Sequence, residues 1–199
     1  MTGSGDRRLV LAIAGGMALT VLALLAAFWI ADRDDDEPAG TAAEQAAAAA
    51  DAADLSSVPD DELERVVAEH PGVVAMRLAL VERYLRAGEL ESAQHHAEEA
   101  AVRAEVVEDR ARALRYLGWT TALLGDPEQG EGLLVQSLAL EPANRDALYF
   151  LARVRFDQLD DAAGALEPLE QLTAMDMDDE QRQLIDTLLA QVREAVGSG

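Results

Sequence analysis

Small and helix-breaking residues return at a fixed interval in the second half of the chain. The stretch LRYLGWTTALLGDPEQGEGLLVQSLALEP (114–142) has the composition of helix at both ends, but glycine, aspartate and proline interrupt it. Thirty-four positions downstream, Leu114, Leu117, Gly118, Gly130 and Leu138 correspond to Leu148, Leu151, Ala152, Gly164 and Leu172. Thirty-seven positions upstream, Leu117, Gly125 and Gly130 correspond to Leu80, Gly88 and Ala93. The chain is therefore built from repeated units.

Each unit contains two helix-length segments joined by a short turn, written RAGELES, LLGDPEQ and QLDDAAG in the three units. Ala93, Gly130 and Gly164 place a small residue in the second segment, where the two helices can approach closely. Apolar positions are filled mainly by Ala and Leu, and aromatic residues make up only 4% of the chain, which favours helix over strand. We expect an all-α chain of stacked helical hairpins.

A 34-residue period with Leu-Gly in the first helix, a small residue in the second and a closing proline resembles the tetratricopeptide repeat (TPR). The middle unit carries the likeness best, through Leu117, Gly118, Gly130, Leu138 and Pro142. The first unit keeps Leu80, Tyr84, Gly88 and Ala93. The resemblance implies a TPR domain over 59–196, with a pre-repeat helix (59–70), repeats at about 74–107, 111–144 and 145–178, and a capping helix (178–196).

Two segments of this domain carry specific expectations. The third repeat departs most from the family pattern, because Arg155 occupies a position where the family often has Tyr and Pro168 lies inside the second helix. Pro168 predicts a kink or an early end of that helix. In the capping helix, apolar residues at helical spacing predict a face that covers the end of the stack: Leu184, Ile185, Leu188, Leu189 and Val192.

The N-terminal region predicts a membrane anchor. The 22 residues Leu9–Ile30 carry no charge, and as a helix they would measure about 33 Å, enough for a hydrocarbon core of about 30 Å. The alternative, a cleaved signal peptide, needs a shorter apolar region and small residues at its cleavage site, where this chain has Phe28, Trp29 and Ile30. We therefore predict a short cytoplasmic tail (1–8) and a transmembrane helix (9–31).

Charges on either side of this segment predict its orientation. Arg7 and Arg8 precede it, and an acidic stretch follows it. The positive-inside rule then places the N-terminus in the cytoplasm and the repeat domain outside, as in a single-pass protein of the cell membrane. Residues 32–58 form an acidic, Ala-rich linker, read either as a frayed helix or as a flexible spacer. Its aspartates lack the glycine and the distal glutamate that an EF-hand loop requires.

Composition and motifs argue against catalytic and nucleic-acid-binding functions. The net charge is −22, which disfavours a phosphate backbone as partner, and the lack of cysteine excludes thiolate chemistry. His95 and Glu99 have a spacing that can hold a metal, but two ligands without a third indicate surface side chains. Met175 and Met177 are read as a core and a loop residue rather than a copper motif. We predict no enzymatic activity, no cofactor and no metal.

TPR proteins bind ligands along an inner wall formed by the first helix of each repeat, and the resemblance carries that role onto eleven positions. They are rich in Arg and aromatic residues, which suits an extended or helical peptide with apolar anchors and carboxylates. The alternative for Trp119 and Phe156 is that they fill the core between repeats. The eleven positions are Leu78, Glu82, Leu85, Arg86, Arg112, Arg115, Trp119, Leu123, Tyr149, Arg153 and Phe156.

The order of the segments is similar to that of the membrane-anchored TPR module of bacterial c-type cytochrome maturation factors. That module has an anchor, a spacer, a pre-repeat helix and TPR units, here including LGW and DALYFLARV. The resemblance implies that the partner is apocytochrome c, held through its C-terminal helix before haem attachment. The alternative function is a structural adaptor that assembles a cell-envelope complex, such as secretion, pilus or cell-wall machinery.

Overall fold

The computed structural model describes Leu55 and residues 58–198, and this part of the chain is all helical. Its helical content confirms the all-α prediction over the described residues. Among the described residues, eight helices follow one another, with bounds α1 Asp60–Glu69, α2 Val74–Ala87, α3 Leu90–Arg103, α4 Val107–Leu123, α5 Pro127–Leu140, α6 Arg145–Asp157, α7 Ala162–Thr173 and α8 Asp179–Ser198.

Each helix packs against the next one in sequence, so the pairs α2–α3, α4–α5 and α6–α7 form three stacked hairpins. In addition, α2 contacts α4 and α4 contacts α6, which places the first helices of the three hairpins side by side. Stacking of this kind curves the array and makes the row α2, α4 and α6 its inner side. We call this row the inner wall.

The turns within the hairpins depend on backbone conformations that favour glycine. Gly88 (φ 77°) and Gly125 (φ 103°) are in the left-handed region and follow α2 and α4. The third hairpin instead uses Asp160, at φ 52°. Aspartate tolerates this region better than most residues. The helix-breaking residues Gly125, Asp126 and Pro127 therefore form a hairpin turn. Asp126 also caps α5, because its side chain accepts a hydrogen bond from Gln129 N at 3.1 Å.

The glycines of the middle repeat mark a close helix crossing. A Cβ atom built on Gly130 would lie 2.6 Å from the Gly118 carbonyl oxygen and 2.7 Å from Ala122 Cβ. A Cβ atom on Gly118 would in turn lie 2.8 Å from the Gly130 carbonyl oxygen. The backbones of α4 and α5 thus touch each other directly, and a side chain at either position would have to push them apart.

Pro168 does not end its helix, because α7 runs on to Thr173. Proline has no N–H, so the carbonyl of Gly164, four residues earlier, loses its usual helical partner. Arg155 on α6 supplies the missing donor: its Nη1 donates to Gly164 O at 2.9 Å. Arg155 Nε also donates to Glu131 on α5 at 2.7 Å. The two departures of the third repeat from the TPR pattern therefore compensate each other.

The pre-repeat helix α1 is fixed to the first hairpin by polar side chains. The buried guanidinium of Arg77 donates to the carbonyl of Val67 in the last turn of α1 at 3.2 Å and to that of Pro71, just past its end, at 3.3 Å. Glu64 Oε1 accepts from Tyr84 Oη at 2.6 Å and lies 2.9 Å from His96 Nε2. Burial lowers the pKa of His96 and outweighs the opposing effect of Glu64. A neutral His96 therefore belongs to the packing of α1.

The capping helix α8 covers α7 with Ile185, Leu188, Leu189 and Val192, which are buried. The prediction that Leu184 belongs to the same face is wrong, because its side chain is 54% exposed. No helix among residues 58–198 is both long and apolar enough to cross a bilayer. The predicted tail (1–8), the predicted span (9–31) and nearly all of the predicted linker (32–58) lie outside the described residues.

Candidate functional site

The candidate site is the inner wall, and all eleven predicted positions lie on its three helices. Leu78, Glu82, Leu85 and Arg86 are on α2, the middle four are on α4, and Tyr149, Arg153 and Phe156 are on α6. The structure does not bring all of them to the surface in the same way. Two are buried, and the others are exposed or partly exposed.

Neighbouring helices of the inner wall are connected by side-chain contacts at two equivalent places, which we call joints. Between α2 and α4, Tyr116 Oη donates to Glu82 Oε1 at 2.7 Å. Between α4 and α6, the rings of Trp119 and Phe150 stack, with centroids 4.6 Å apart and planes 11° apart. Glu82 and Trp119 stand at the same repeat position, as do Tyr116 and Phe150. The same joint is thus made once by a hydrogen bond and once by an aromatic stack.

Trp119 and Phe156 pack against the core, as one of the two alternatives expects, and their role in binding stays a prediction. Both side chains are half-buried, and each packs against a cluster of buried residues: Trp119 against the one containing Leu134 and Leu151, Phe156 against the one containing Leu169. Each also keeps part of its surface on the inner wall. The wall therefore presents the exposed parts of aromatic rings whose positions are fixed by the core, which limits the side-chain entropy lost when a ligand binds.

Arg115 is a structural residue of the joint between α4 and α6. Only 7% of it is exposed, and its guanidinium carbon lies 4.4 Å from the centroid of the Tyr116 ring. Nη1 donates to Asn144 Oδ1 at 3.2 Å and lies 3.1 Å from Asp146 Oδ2. Asn144 also caps α6 by accepting from Ala147 N at 3.0 Å. In this structure Arg115 thus holds the start of α6 and offers little surface to a ligand.

Tyr149 and Arg153 form an organised polar patch on α6. Arg153 Nη1 donates to Tyr149 Oη at 3.2 Å, and Arg153 Nε pairs with Asp157. Burial alone would lower the pKa of Arg153, but the hydrogen bonds to Asp157 and Tyr149 outweigh it and raise the pKa. Arg153 therefore stays charged, with its guanidinium oriented beside a partly exposed tyrosine ring.

The remaining positions divide between core and surface. Leu78 is 1% exposed and belongs to the core of the first hairpin, and Leu85 packs beside the same cluster. Glu82, Arg86 and Leu123 are exposed, and Arg112 is half-buried. Leu78 is buried because it belongs to a cluster of apolar residues from α2, α3 and α4. Arg86 and Arg112 are the predicted cations of the wall for which the described residues provide no ion pair.

Sequence reasoning did not find Tyr116 and Phe150, although they form the joints of the wall. The sequence contains a pattern that could have identified them, because both residues are aromatic and stand 34 residues apart. Asn144 and Asp146, which hold Arg115, were also missed, and they belong to the turn before α6 and to its first residues. Contacts between repeats are not visible in a pattern that is read within each repeat separately.

Histidine and acidic side chains form no metal-binding group in the described part of the chain, where no set of three or more potential ligands converges. His96 is buried between Tyr84 and Glu64 instead, with its ring stacked on Tyr84 at 5.6 Å and its Nδ1 unpaired. His95 is exposed and meets the His96 ring edge-on. His96 is therefore part of the packing of α1 on the first hairpin, whereas His95 lies at the surface.

Comparison with known proteins supports the architecture. No protein-family model matches the chain, and no curated protein matches it. Two solved structures, both of MamA, a TPR-containing protein, are similar to it. One aligns with a TM-score of 0.57 at 20% identity, over 68% of this chain and 70% of that one. The other aligns with a TM-score of 0.52 at 18% identity, over 68% and 85%. The described part of this chain has a TPR-like fold.

Proposed function

We propose that this protein is a non-enzymatic, membrane-anchored interaction module whose inner wall binds a segment of a partner polypeptide. The observation that carries the proposal is the patch of Trp119, Tyr149 and Arg153, three partly exposed side chains held in place by neighbours on the same wall. Tryptophan, tyrosine and arginine are the residues most enriched among binding hot spots. Their fixed positions favour a ligand with apolar anchors and at least one carboxylate.

The wall suits an extended or helical segment better than a small molecule. Its accessible side chains are spread over three helices, from Arg86 on α2 through Leu123 on α4 to Phe156 on α6. A polypeptide that follows the row would contact all three helices at once. The C-terminal helix of an apocytochrome c is the specific ligand we propose to test first, and a component of an envelope assembly complex is the alternative.

The experiment is isothermal titration of the full chain and its variants with C-terminal apocytochrome helices and with the partner recovered from solubilised membranes. Tyr149→Ala and Arg153→Ala should each lose at least about 2 kcal/mol of binding free energy, roughly 30-fold in Kd. Trp119→Leu is the third variant, because leucine keeps apolar contact with the core while removing the indole. Val135→Ala is the control, since Val135 is exposed on α5, outside the wall.

The outcomes separate the alternatives. Unchanged affinity in the wall variants, with melting curves like that of the parent, would remove the inner wall as the binding site. A wall that binds the recovered partner but none of the apocytochrome helices would favour the envelope adaptor.

A further inference from the structure

One edge of the helical array carries a line of exposed apolar side chains. It comprises three connections with the adjoining helix ends, from α3 to α4 (102–107), from α5 to α6 (139–144) and from α7 to α8 (174–178), which stacked hairpins place along the same edge. Val102, Val106 and Val107 are 76%, 53% and 52% exposed, and Leu140 at the end of α5 is 38% exposed. Met175 and Met177, in the third connection, are partly exposed and also pack against the core cluster that contains Leu169. We call these six residues the apolar edge.

These exposed apolar side chains are unusual because several of them lie close together in the chain. Single apolar side chains on a surface need no explanation, but contiguous ones mark interaction sites. Three of the four most exposed large apolar side chains in the described part of the chain lie within the six residues 102–107. Val107 is the first residue of α4 and therefore stands at one end of a wall helix, but none of the six residues is among the eleven predicted ligand positions.

Val106 is the N-cap of α4, and its side chain caps nothing. The three preceding helices also begin without a side-chain cap, at Pro59, Val73 and Glu89. Valine is among the poorest N-cap residues, so a serine or aspartate at position 106 would stabilise α4.

Charges around the apolar edge indicate what can cover it. In the wider segments around these connections, acids outnumber arginines by three to two in 102–110, two to one in 139–146, and four to none in 174–180. A second copy would bring a chain of net charge −22 against another of the same charge. A membrane surface rich in anionic lipid would be repelled for the same reason. A polypeptide with basic residues beside its apolar ones complements both features.

We propose that the apolar edge docks a cationic amphipathic segment of a partner polypeptide. The valines at 102, 106 and 107 provide the apolar contact, and Glu105 and Glu108, which lie between and beside them, pair with basic side chains of the partner. The proposal does not depend on what the inner wall binds.

The test uses the full chain and a labelled amphipathic helix composed of leucine and lysine, followed by fluorescence anisotropy. A scrambled peptide of the same composition has the same charge but no apolar face. The variant Val102→Ser/Val106→Ser/Val107→Ser should bind the amphipathic peptide at least about tenfold more weakly and should bind the scrambled one as the parent does. Leu124→Ser is the matched control, because Leu124 is an exposed apolar residue in a turn within a hairpin.

Val106→Ser alone separates binding from folding. It should raise the melting temperature, because serine caps α4, and at the same time weaken binding of the amphipathic peptide. Hydrogen exchange should show protection of residues 102–109 in the complex. The proposal is overturned if the triple variant binds like the parent, if the scrambled peptide binds equally well, or if Tyr149→Ala weakens binding while the triple variant does not. It is also overturned if the valines instead control dimerisation or binding to phosphatidylglycerol vesicles.

Discussion

Gly118 and Gly130 show how much the packing of the middle repeat depends on two missing side chains. Each lies against the backbone of the other helix, so α4 and α5 have no room to admit a Cβ atom without moving. Gly132, two residues further along α5, has no atom within 4 Å of the place where its Cβ would be. The same helix therefore offers one glycine required by packing and one that is not.

We predict opposite effects for leucine at these two positions. Gly130→Leu should lower the free energy of unfolding by at least about 1–3 kcal/mol, because overpacking forces the two helices apart. Gly132→Leu should raise it by about 0.5–1 kcal/mol, because glycine is a poor helix former and the new side chain meets nothing. Thermal unfolding followed by circular dichroism measures both. Equal melting temperatures for the two variants would show that the crossing is not as close as described.

Among individual residues, the repeat pattern located Gly130 correctly but not Gly164 and Arg115. A Cβ atom on Gly164 would meet the side chain of Asp161 in its own turn rather than the partner helix. Gly130 was expected at a close approach of helices, and the structure places it there. Arg115 was expected on an open wall, yet it is buried beside Asn144 and Tyr116. A glycine such as Gly130 is required by the close approach of the two helices within its own hairpin, and the hairpin is the unit that the sequence repeats. The surroundings of an arginine depend on the neighbouring repeat, whose residues differ from one joint to the next.

At the scale of helices, the early end that is one of the two outcomes predicted for Pro168 shows what a sequence pattern leaves out. Proline was read for its effect on its own helix, and on that basis α7 would end or bend. The structure continues α7 to Thr173 and uses Arg155, on a different helix, to bond the Gly164 carbonyl. Helix number and order follow from the repeat, whereas compensation between helices requires knowing which side chains meet.

We predict that Arg155 and Pro168 are energetically coupled. Arg155→Met keeps much of the apolar stem but leaves the Gly164 carbonyl and Glu131 without their donor, which should cost about 1–3 kcal/mol. Pro168→Ala restores a backbone N–H to that carbonyl. The alanine substitution should therefore be more favourable in the Arg155→Met background than in the parent. Urea unfolding of the four proteins gives the coupling energy, and strictly additive effects would contradict the pairing.

For the whole molecule, the membrane anchor remains a prediction from Leu9–Ile30 and the flanking Arg7 and Arg8. The chain should stay in the membrane fraction after a carbonate wash, and alkaline phosphatase fused to its C-terminus should be active, because the repeat domain is predicted outside the cytoplasm. A green fluorescent protein fusion at the same position should give little signal. Recovery of the chain at mature length in the soluble fraction would exclude the anchor, and the reverse reporter result would invert the topology.

Net charge also has a whole-molecule consequence. At −22 the surface repels other acidic surfaces at low ionic strength, so contact with a partner depends on places where apolar or cationic side chains interrupt the acids. The described residues offer two such places, the inner wall with Arg86 and Arg112 and the apolar edge with its valines. A scaffold with two separate surfaces can hold one polypeptide while it is attached to another.

The pairing of Arg155 with Pro168 constrains the order in which the two residues were acquired. Arg155 has a second partner, Glu131, so it is useful in a chain whose residue 168 still donates an N–H. Proline at 168 without the arginine leaves a helical carbonyl unbonded. Arginine first and proline second is therefore the path without a destabilised intermediate. Once both are present, replacing Arg155 alone leaves the Gly164 carbonyl without its donor, so proline at 168 makes the third repeat depend on Arg155.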